Sequence, residues 1–376
     1  MAKAVYVGVG SKARKMKKAY IGIGGKARKV KKMYIGDSSG KARLCYSAEL
    51  EKVRMAENLS DERRGIAAAS VGNYALFAGG IGHGSFIDRA HDAVDAYSAS
   101  LTKSMPTALS TVRSSHAGAS VEGYALFAGG ADGQRTVDIV DSVDAYSASL
   151  TRTAAATLSG ERVWMGAASL EGRAFFAGGA SSNMNSDNKC ANVEVYNSTL
   201  TRTAATNLSV ARYYPLTATI GSRVLFAGGT GNTITKVVDV YSTLTRTAAA
   251  DLSRPTSGDA STVVGNYAIF TSDGNTSCDV YNASLTKTTV TLLSVARVNM
   301  SAGTVGDYAL FAGGGTNSPY SDVVDACDTS LTRTTVTTLD YPRSGLSSAT
   351  VGDYLLFAGG RIDSENYSSD VFVYTA

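Results

Sequence analysis

The chain has 376 residues, of which 36 are basic and 32 acidic, so its formal net charge is +4. With 39 glycines and only 5 prolines it is neither collagen-like nor a proline-rich disordered chain. Its 44% of apolar residues suffice for one large or two ordinary domains, and no apolar run approaches the roughly 18 residues that span a bilayer.

The basic charge is concentrated in residues 1–46, which hold thirteen Lys or Arg and one acidic residue, a net charge of +12. The rest of the chain holds 23 basic and 31 acidic residues, a net charge of −8. Three Tyr-Ile/Val-Gly units begin at Tyr6, Tyr20 and Tyr34, fourteen residues apart, and Lys-Ala-Arg follows each. This pattern predicts small β-hairpins with too little core to stand alone. The apolar stretch at residues 4–9 is shorter than a signal-peptide core, so we expect synthesis in the cytoplasm without export.

Seven copies of a longer repeat follow, each built around a run such as Tyr-Ala-Leu-Phe-Ala-Gly-Gly. Their phenylalanines are separated by 41 to 50 residues: Phe77, Phe127, Phe176, Phe226, Phe270, Phe311 and Phe357. Every copy carries β-prone runs divided by Gly, Asn, Asp or Ser, which predicts an all-β, seven-bladed β-propeller of four-stranded blades. The first run of each copy is rich in small residues, as expected beside a crowded axis, and the Gly-Gly pair predicts a bulge or close backbone approach.

The last copy ends at residues 371–374 and lacks a fourth run of its own. Residues 50–57 align with the fourth runs of the other copies, so we expect them to supply the outermost strand of blade 7 and to close the ring. This divides the chain into an anchor segment, residues 1–46, and a propeller, residues 47–376.

These repeats resemble kelch repeats, which also build galactose-oxidase-like propellers. The resemblance rests on the Gly-Gly after the second strand, the Val-Asp-x-Tyr third strand and an arginine at the entry to the next unit. One departure is that Leu-Thr-Arg or Leu-Thr-Lys replaces the usual tryptophan of the fourth strand. The basic run Tyr-Ile-Gly-Ile-Gly-Gly-Lys-Ala-Arg-Lys-Val-Lys-Lys, residues 20–32, is similar to the opening repeats of structural proteins of bacteriophages that infect Gram-positive bacteria.

No catalytic or metal-binding set is apparent, so we expect a non-enzymatic protein without cofactor or metal. The histidines are His83, His91 and His116, and the scattered cysteines are Cys45, Cys190, Cys278 and Cys327, which we expect to be buried free thiols. One carboxylate recurs on the third strand of six copies, and we expect it to pair with the fourth-strand cation. The carboxylates are Asp95, Asp144, Glu194, Asp239, Asp279 and Asp325; the cations are Lys103, Arg152, Arg202, Arg246, Lys287 and Arg333.

An arginine also precedes the first strand of nearly every copy. In kelch propellers this position lies at the mouth of the central channel, so the resemblance implies a ring of guanidinium groups suited to carboxylate or phosphate ligands. The alternative is that each arginine bonds loop carbonyls of the neighbouring blade. The predicted ligand-binding residues are Arg63, Arg113, Arg162, Arg212, Arg297 and Arg343, with Trp164, Tyr213, Tyr214 and Asn299 nearby. The loops between second and third strands differ most among copies, which also favours binding there.

The leading interpretation is a virion-associated structural or adhesion protein of a bacteriophage. Its anchor would attach to other virion proteins through Lys12, Arg14, Lys26, Arg28, Lys41 and Arg43. The propeller would bind an anionic host-surface glycan or another virion protein, without contact with a membrane, and homo-oligomers are compatible with this role. Nucleic-acid binding by the basic segment is a weaker alternative because the segment offers only tyrosines for stacking, and a solvated charged segment is a third. The alternatives for the propeller are a kelch-type sugar enzyme, an epimerase or oxidase, and an intracellular adaptor.

Overall fold

The computed structural model describes residues 50–376, except 84–88, 133–137, 182–187, 316–319 and 337, together with residues 6–9, 12–15, 20–23, 26–30, 32–36 and 42–47. The described residues form β-strands and connecting segments without any helix. Accordingly, this part of the chain has no helix that is long and apolar enough to cross a membrane.

Seven four-stranded antiparallel sheets surround one channel, which confirms the predicted all-β, seven-bladed propeller. The innermost strands are Ala67–Val71, Ala117–Val121, Gly166–Leu170, Leu216–Ile220, Ser261–Val264, Ser301–Val305 and Ser347–Val351. The second strands are Tyr74–Ala78, Tyr124–Ala128, Arg173–Ala177, Arg223–Ala227, Tyr267–Thr271, Tyr308–Ala312 and Tyr354–Ala358. The third strands are Val94–Ser98, Val143–Ser147, Val193–Tyr196, Val238–Tyr241, Ser277–Asn282, Val324–Asp328 and Val371–Thr375. The outermost strands are Lys103–Ser104, Arg152–Ala154, Arg202–Ala205, Arg246–Ala248, Lys287–Thr291, Arg333–Thr335 and Glu51–Met55.

Blade 7 is completed by a strand from the beginning of the propeller. Glu51–Met55 pairs antiparallel with Val371–Thr375, with a bulge between Val373 and Tyr374. The observed strand therefore lies within residues 50–57, the range in which it was expected. Since the inner strands of blades 7 and 1 also contact each other, the ring has no open seam at this point.

Small hydroxyl residues join neighbouring inner strands around the channel. Ser120 Oγ donates to the carbonyl of Ser70 at 2.7 Å, and Ser348 Oγ donates to the carbonyl of Ala302 at 2.7 Å. A Cβ on Gly118 would lie only 2.7 Å from the carbonyl oxygen of Ala68. The preference for small residues therefore follows from the close approach of inner strands.

Aromatic residues fill the space between blades. The rings of Phe77 and Tyr97 meet edge to face, with centroids 5.9 Å apart, and both side chains are fully buried. The Tyr97 hydroxyl donates to the carbonyl of Glu57, in the connection that follows the outer strand of blade 7, at 2.8 Å. Burial of apolar surface thus couples each blade to the one before it.

The Gly-Gly pairs mark a backbone contact between blades. The amide of Gly80 donates to the carbonyl of Arg113, in the next blade, at 2.9 Å. Gly79 has a φ of +60°, and a Cβ there would overlap the Arg113 carbonyl oxygen. The close backbone approach predicted for these glycines is confirmed.

The basic segment contains three hairpins in its described residues. Antiparallel pairing joins Tyr6–Val9 to Lys12–Lys15, Tyr20–Ile23 to Lys26–Lys29, and Lys32–Gly36 to Ala42–Ser47. The predicted attachment residues other than Lys41 lie on the second strands of these hairpins, and Lys41 falls outside the described residues.

The propeller has two different sides. We call the side with the second-to-third-strand loops and the connections between blades the loop face, and the side with the short turns between strands the turn face. The chain enters blade 7 at Glu51, which pairs with Thr375, and Thr375 pairs with Tyr354. Because Tyr354 directly follows the turn between the first two strands of its blade, the basic segment joins the propeller at the turn face.

Candidate functional site at the channel mouth

The connection that enters each blade has the same short path on the loop face. In blade 2 the Arg113 amide donates to His91 O at 3.0 Å, in the second-to-third-strand loop of blade 1, and Ser114 exchanges backbone hydrogen bonds with Ala131. In each connection the arginine comes first, and the residue two positions later lies at the rim of the channel, where the backbone turns into the inner strand. The path of the backbone therefore fixes the positions of both residues.

The six arginines of these connections are buried and paired with carboxylates of their own blades. These six residues are at most 4% exposed, and the shortest N–O distances of their ion pairs range from below 2.5 Å to 2.9 Å. Burial lowers the pKa of Arg113 and of Arg212, while the partner carboxylates raise it. The pairs are Arg63–Asp95, Arg113–Asp144, Arg162–Glu194, Arg212–Asp239, Arg297–Asp325 and Arg343–Asp370.

These contacts contradict the predicted ring of ligand-binding guanidinium groups. Arg63, Arg113, Arg162, Arg212, Arg297 and Arg343 all point into the blades and not into the channel mouth. Nη1 of Arg113, for example, donates to the carbonyls of Gly129 and Ser142. The alternative, bonding to loop carbonyls, is correct in kind, but the carbonyls belong to the same blade. An isolated buried charge is costly, so the carboxylates keep these side chains inside.

The same carboxylates also bind the fourth-strand cations, as predicted for five of six blades. Distances run from 2.9 Å for Arg152–Asp144 to 3.5 Å for Arg333–Asp325, and Lys103, Arg202 and Arg246 pair likewise. Lys287 instead donates to Asp251 O at 2.6 Å and to Ser253 Oγ at 3.1 Å. Each carboxylate in the five blades therefore lies between a buried arginine and a more exposed cation.

Blade 5 departs from this arrangement. Thr256 occupies the arginine position, and Asp279 accepts hydrogen bonds from Ser253 and Thr289. Asp259 lies three residues after Thr256, and its Oδ1 is buried without a hydrogen-bond partner in the described residues. Burial, with the nearby charge of Asp273, raises the pKa of Asp259 from 3.8 to about 7.

A ring of residues with positive φ forms the channel mouth. It consists of the residue two positions after each of the six arginines and of Gly258, two positions after Thr256 in blade 5, and the inner strand follows each of them. The ring members are Gly65, Ser115, Trp164, Tyr214, Gly258, Asn299 and Gly345, with φ between 53° and 71°. Backbone hydrogen bonds join neighbours: Trp164 N donates to Ser115 O at 3.0 Å, and Tyr214 N donates to Trp164 O at 2.9 Å.

Large side chains at this ring demand a reason other than backbone geometry. Three blades use glycine, which adopts positive φ at little cost, whereas other L-residues pay about 1–2 kcal/mol. Backbone conformation favours glycine at these positions, so the side chains of Trp164 and Tyr214 account for the presence of these residues. Backbone strain of this kind occurs at functional positions, and in this chain it also occurs at turn residues such as Leu101 and Leu150.

Trp164, Tyr213 and Tyr214 form one aromatic cluster at the mouth. Their ring centroids are 5.2 to 5.4 Å apart, and Tyr214 remains 40% exposed. The structure thus brings together three of the predicted site residues. Asn299 is exposed on the same ring, two blades beyond Tyr214.

Sequence reasoning missed Arg64, which follows the buried Arg63. Its guanidinium carbon lies 5.6 Å from the centroid of the Tyr367 ring, and the residue is only partly exposed. Burial raises the pKa of the Tyr214 hydroxyl, and Arg64 directly precedes Gly65, which belongs to the same ring as Tyr214. The available signal was that the position after the arginine is basic in this copy alone.

A cleft of about 470 Å³ lies beside blade 3 on the loop face, between Ser159, Glu161, Ser181 and Cys190. Cys190 is partly exposed, whereas Cys278 and Cys327 are buried as predicted and the side chain of Cys45 is outside the described residues.

In the part of the chain described, no three His, Cys, Asp or Glu side chains converge as metal ligands.

No family profile matches the chain, and no curated protein resembles it in sequence. Among solved structures, the structure of YjhT superposes with a TM-score of 0.56 and 12% sequence identity, covering 85% of this chain and 97% of YjhT. At this identity the similarity establishes the propeller fold alone.

Proposed function

We propose that the protein is a bacteriophage virion protein of the kelch-repeat type that attaches through its basic hairpins and binds a host-surface glycan at the channel mouth. The observation that carries this proposal is that the basic segment joins the propeller on the face opposite the aromatic cluster. The basic segment joins the turn face at Glu51, whereas the aromatic cluster lies on the loop face. Attachment through one face leaves the other free to engage a cell.

The loop face has the character of a binding surface. Six of the eight exposed large hydrophobic side chains among the described residues lie on it: Val112, Val210, Tyr214, Ile234, Val295 and Tyr341. Aromatic rings at the centre of such a face suit the apolar faces of sugar rings, and Asn299 and Ser115 supply polar groups at the same rim.

The glycan-binding part of the proposal is tested by cosedimentation of the purified full chain with Gram-positive cell walls. We expect Trp164→Ala to weaken the affinity for cell walls by about 5- to 150-fold, since stacking contributes on the order of 1–3 kcal/mol. Asn73→Ala, in a turn of the opposite face, is the control and should bind like the parent. Equal binding of all three proteins would refute a site at the mouth.

The virion part is tested by immunogold labelling of purified phage particles. Labelled particles, with labelling lost when residues 1–46 are deleted, support attachment through the basic segment. Absence of the protein from particles would refute it.

A sugar-modifying enzyme is the second candidate, and Asp259 is the observation that favours it. A carboxyl group with a pKa of about 7 has the range of a general acid or base. Chemical change of a bound sugar that is abolished in Asp259→Asn would favour this candidate.

A further inference from the structure

Arg64 differs from the six arginines that occupy the blades. Each of those is neutralised by a carboxylate, whereas Arg64 forms no ion pair in the part of the chain that the structure describes. Its guanidinium group lies over the face of Tyr367, a residue that is 3% exposed. This stacking holds a cation in place without consuming its hydrogen-bond donors.

The backbone fixes Arg64 at the mouth. Its amide donates to Ile81 O at 2.9 Å, and its carbonyl accepts from Ile81 N at 2.8 Å. The next residue is Gly65 of the ring, and the preceding blade contributes Gly345. Because neither glycine carries a side chain, this part of the mouth is open, while Trp164 and Tyr214 fill another part.

We propose that Arg64 is the specificity-determining residue of the site and binds the carboxylate or phosphate group of an acidic sugar whose ring packs on Trp164 and Tyr214. This inference rests on the proposed glycan binding and names the chemical class of the glycan. A guanidinium group presents paired donors that match either anion. Partial burial strengthens the contact, since it is screened less by solvent than an exposed charge pair.

The test uses the full chain and three probes: maltotriose, maltotriose 6-phosphate and tri-galacturonate. We expect the parent to bind at least one anionic probe about tenfold or more tightly than maltotriose, as a charged hydrogen bond predicts. Arg64→Gln should reduce that preference to within about threefold while leaving the affinity for maltotriose and the melting temperature unchanged. Whether the phosphate or the carboxylate probe binds better identifies the anion.

The matched control is Arg254→Gln, since Arg254 lies in the corresponding connection of blade 5 with an exposed side chain; it should keep the parent's preference. Arg64→Lys retains the charge without the planar fork and should bind with intermediate affinity, which keeps the test decisive if Arg64→Gln does not fold.

Two results would overturn the inference while glycan binding stands. One is a parent that binds neutral and anionic probes equally. The other is an anionic preference that persists in Arg64→Gln. A parent that binds none of the three probes and no cell wall would instead refute glycan binding, and the role of Arg64 with it.

Discussion

Replacing a buried arginine tests whether these side chains stabilise the blades or serve recognition. Arg212 is fully buried and lies 2.8 Å from Asp239. Arg212→Ala leaves that carboxylate buried, and removing one partner of a buried pair costs about 3–5 kcal/mol. Arg246, 3.0 Å from the same carboxylate and 31% exposed, still neutralises part of the charge. We therefore expect a loss near the lower limit, about 3 kcal/mol.

This loss can be measured by urea denaturation and by calorimetry. With about 2.1 cal/mol/K of unfolding entropy per residue, a propeller of roughly 330 residues would lose about 4 °C in melting temperature. Arg254→Ala removes an exposed arginine from the equivalent connection and should change stability by less than about 0.5 kcal/mol. A loss below 1 kcal/mol for Arg212→Ala, or equal losses for both variants, would refute the structural role.

Three further outcomes follow from the described contacts. Asp259 holds its proton more tightly in the folded protein (pKa about 7) than in the unfolded chain, so its stabilising contribution is complete below about pH 4 and is lost as the pH rises to 7. The melting temperature of the parent should accordingly fall more between pH 5 and pH 8 than that of Asp259→Asn, and parallel curves would contradict this. Deleting residues 1–40 should leave the melting temperature of the propeller unchanged, whereas deleting residues 1–58 exposes the edge of blade 7 and should lower it; equal melting would show that the ring closes otherwise. Tyr214→Gly relieves positive φ, so it should change stability by less than about 1 kcal/mol, like Ser115→Gly, yet only Tyr214→Gly should lose cell-wall binding.

The repeat made the blades predictable. The β-prone runs recur in every copy and the paired glycines in every copy but one, and the missing fourth run of the last copy pointed to residues 50–57 for its outer strand. These features depend on backbone periodicity and closure, which residue spacing records directly.

Side-chain direction was less predictable. The spacing placed Arg113 at the entry to its blade, but not the direction of its guanidinium group. The sequence pattern pairs Asp144 with Arg152 alone, whereas in the structure the two oxygens of this carboxylate bind both Arg113 and Arg152. The repeat did contain a signal, since five copies carry one entry arginine for each third-strand carboxylate.

Only some residues of the channel mouth could be predicted from the sequence. Trp164, Tyr213 and Tyr214 stood out as rare aromatics near the arginines, and they do form a cluster. The positive φ of Trp164 and Tyr214 has no local sequence signature and becomes evident only by comparison with Gly65 and the other glycines at that position. Arg64 was overlooked because its partner, Tyr367, is some 300 residues distant and belongs to blade 7.

The single tryptophan of the chain, Trp164, provides the most direct measurement of the central claim that the channel mouth is the binding site. Intrinsic fluorescence is recorded while soluble cell-wall glycan fragments are titrated into the full chain, with binding followed in parallel by calorimetry. We expect a saturable change in Trp164 emission whose dissociation constant equals the calorimetric value. Calorimetric binding without any change in emission would contradict a site at the mouth.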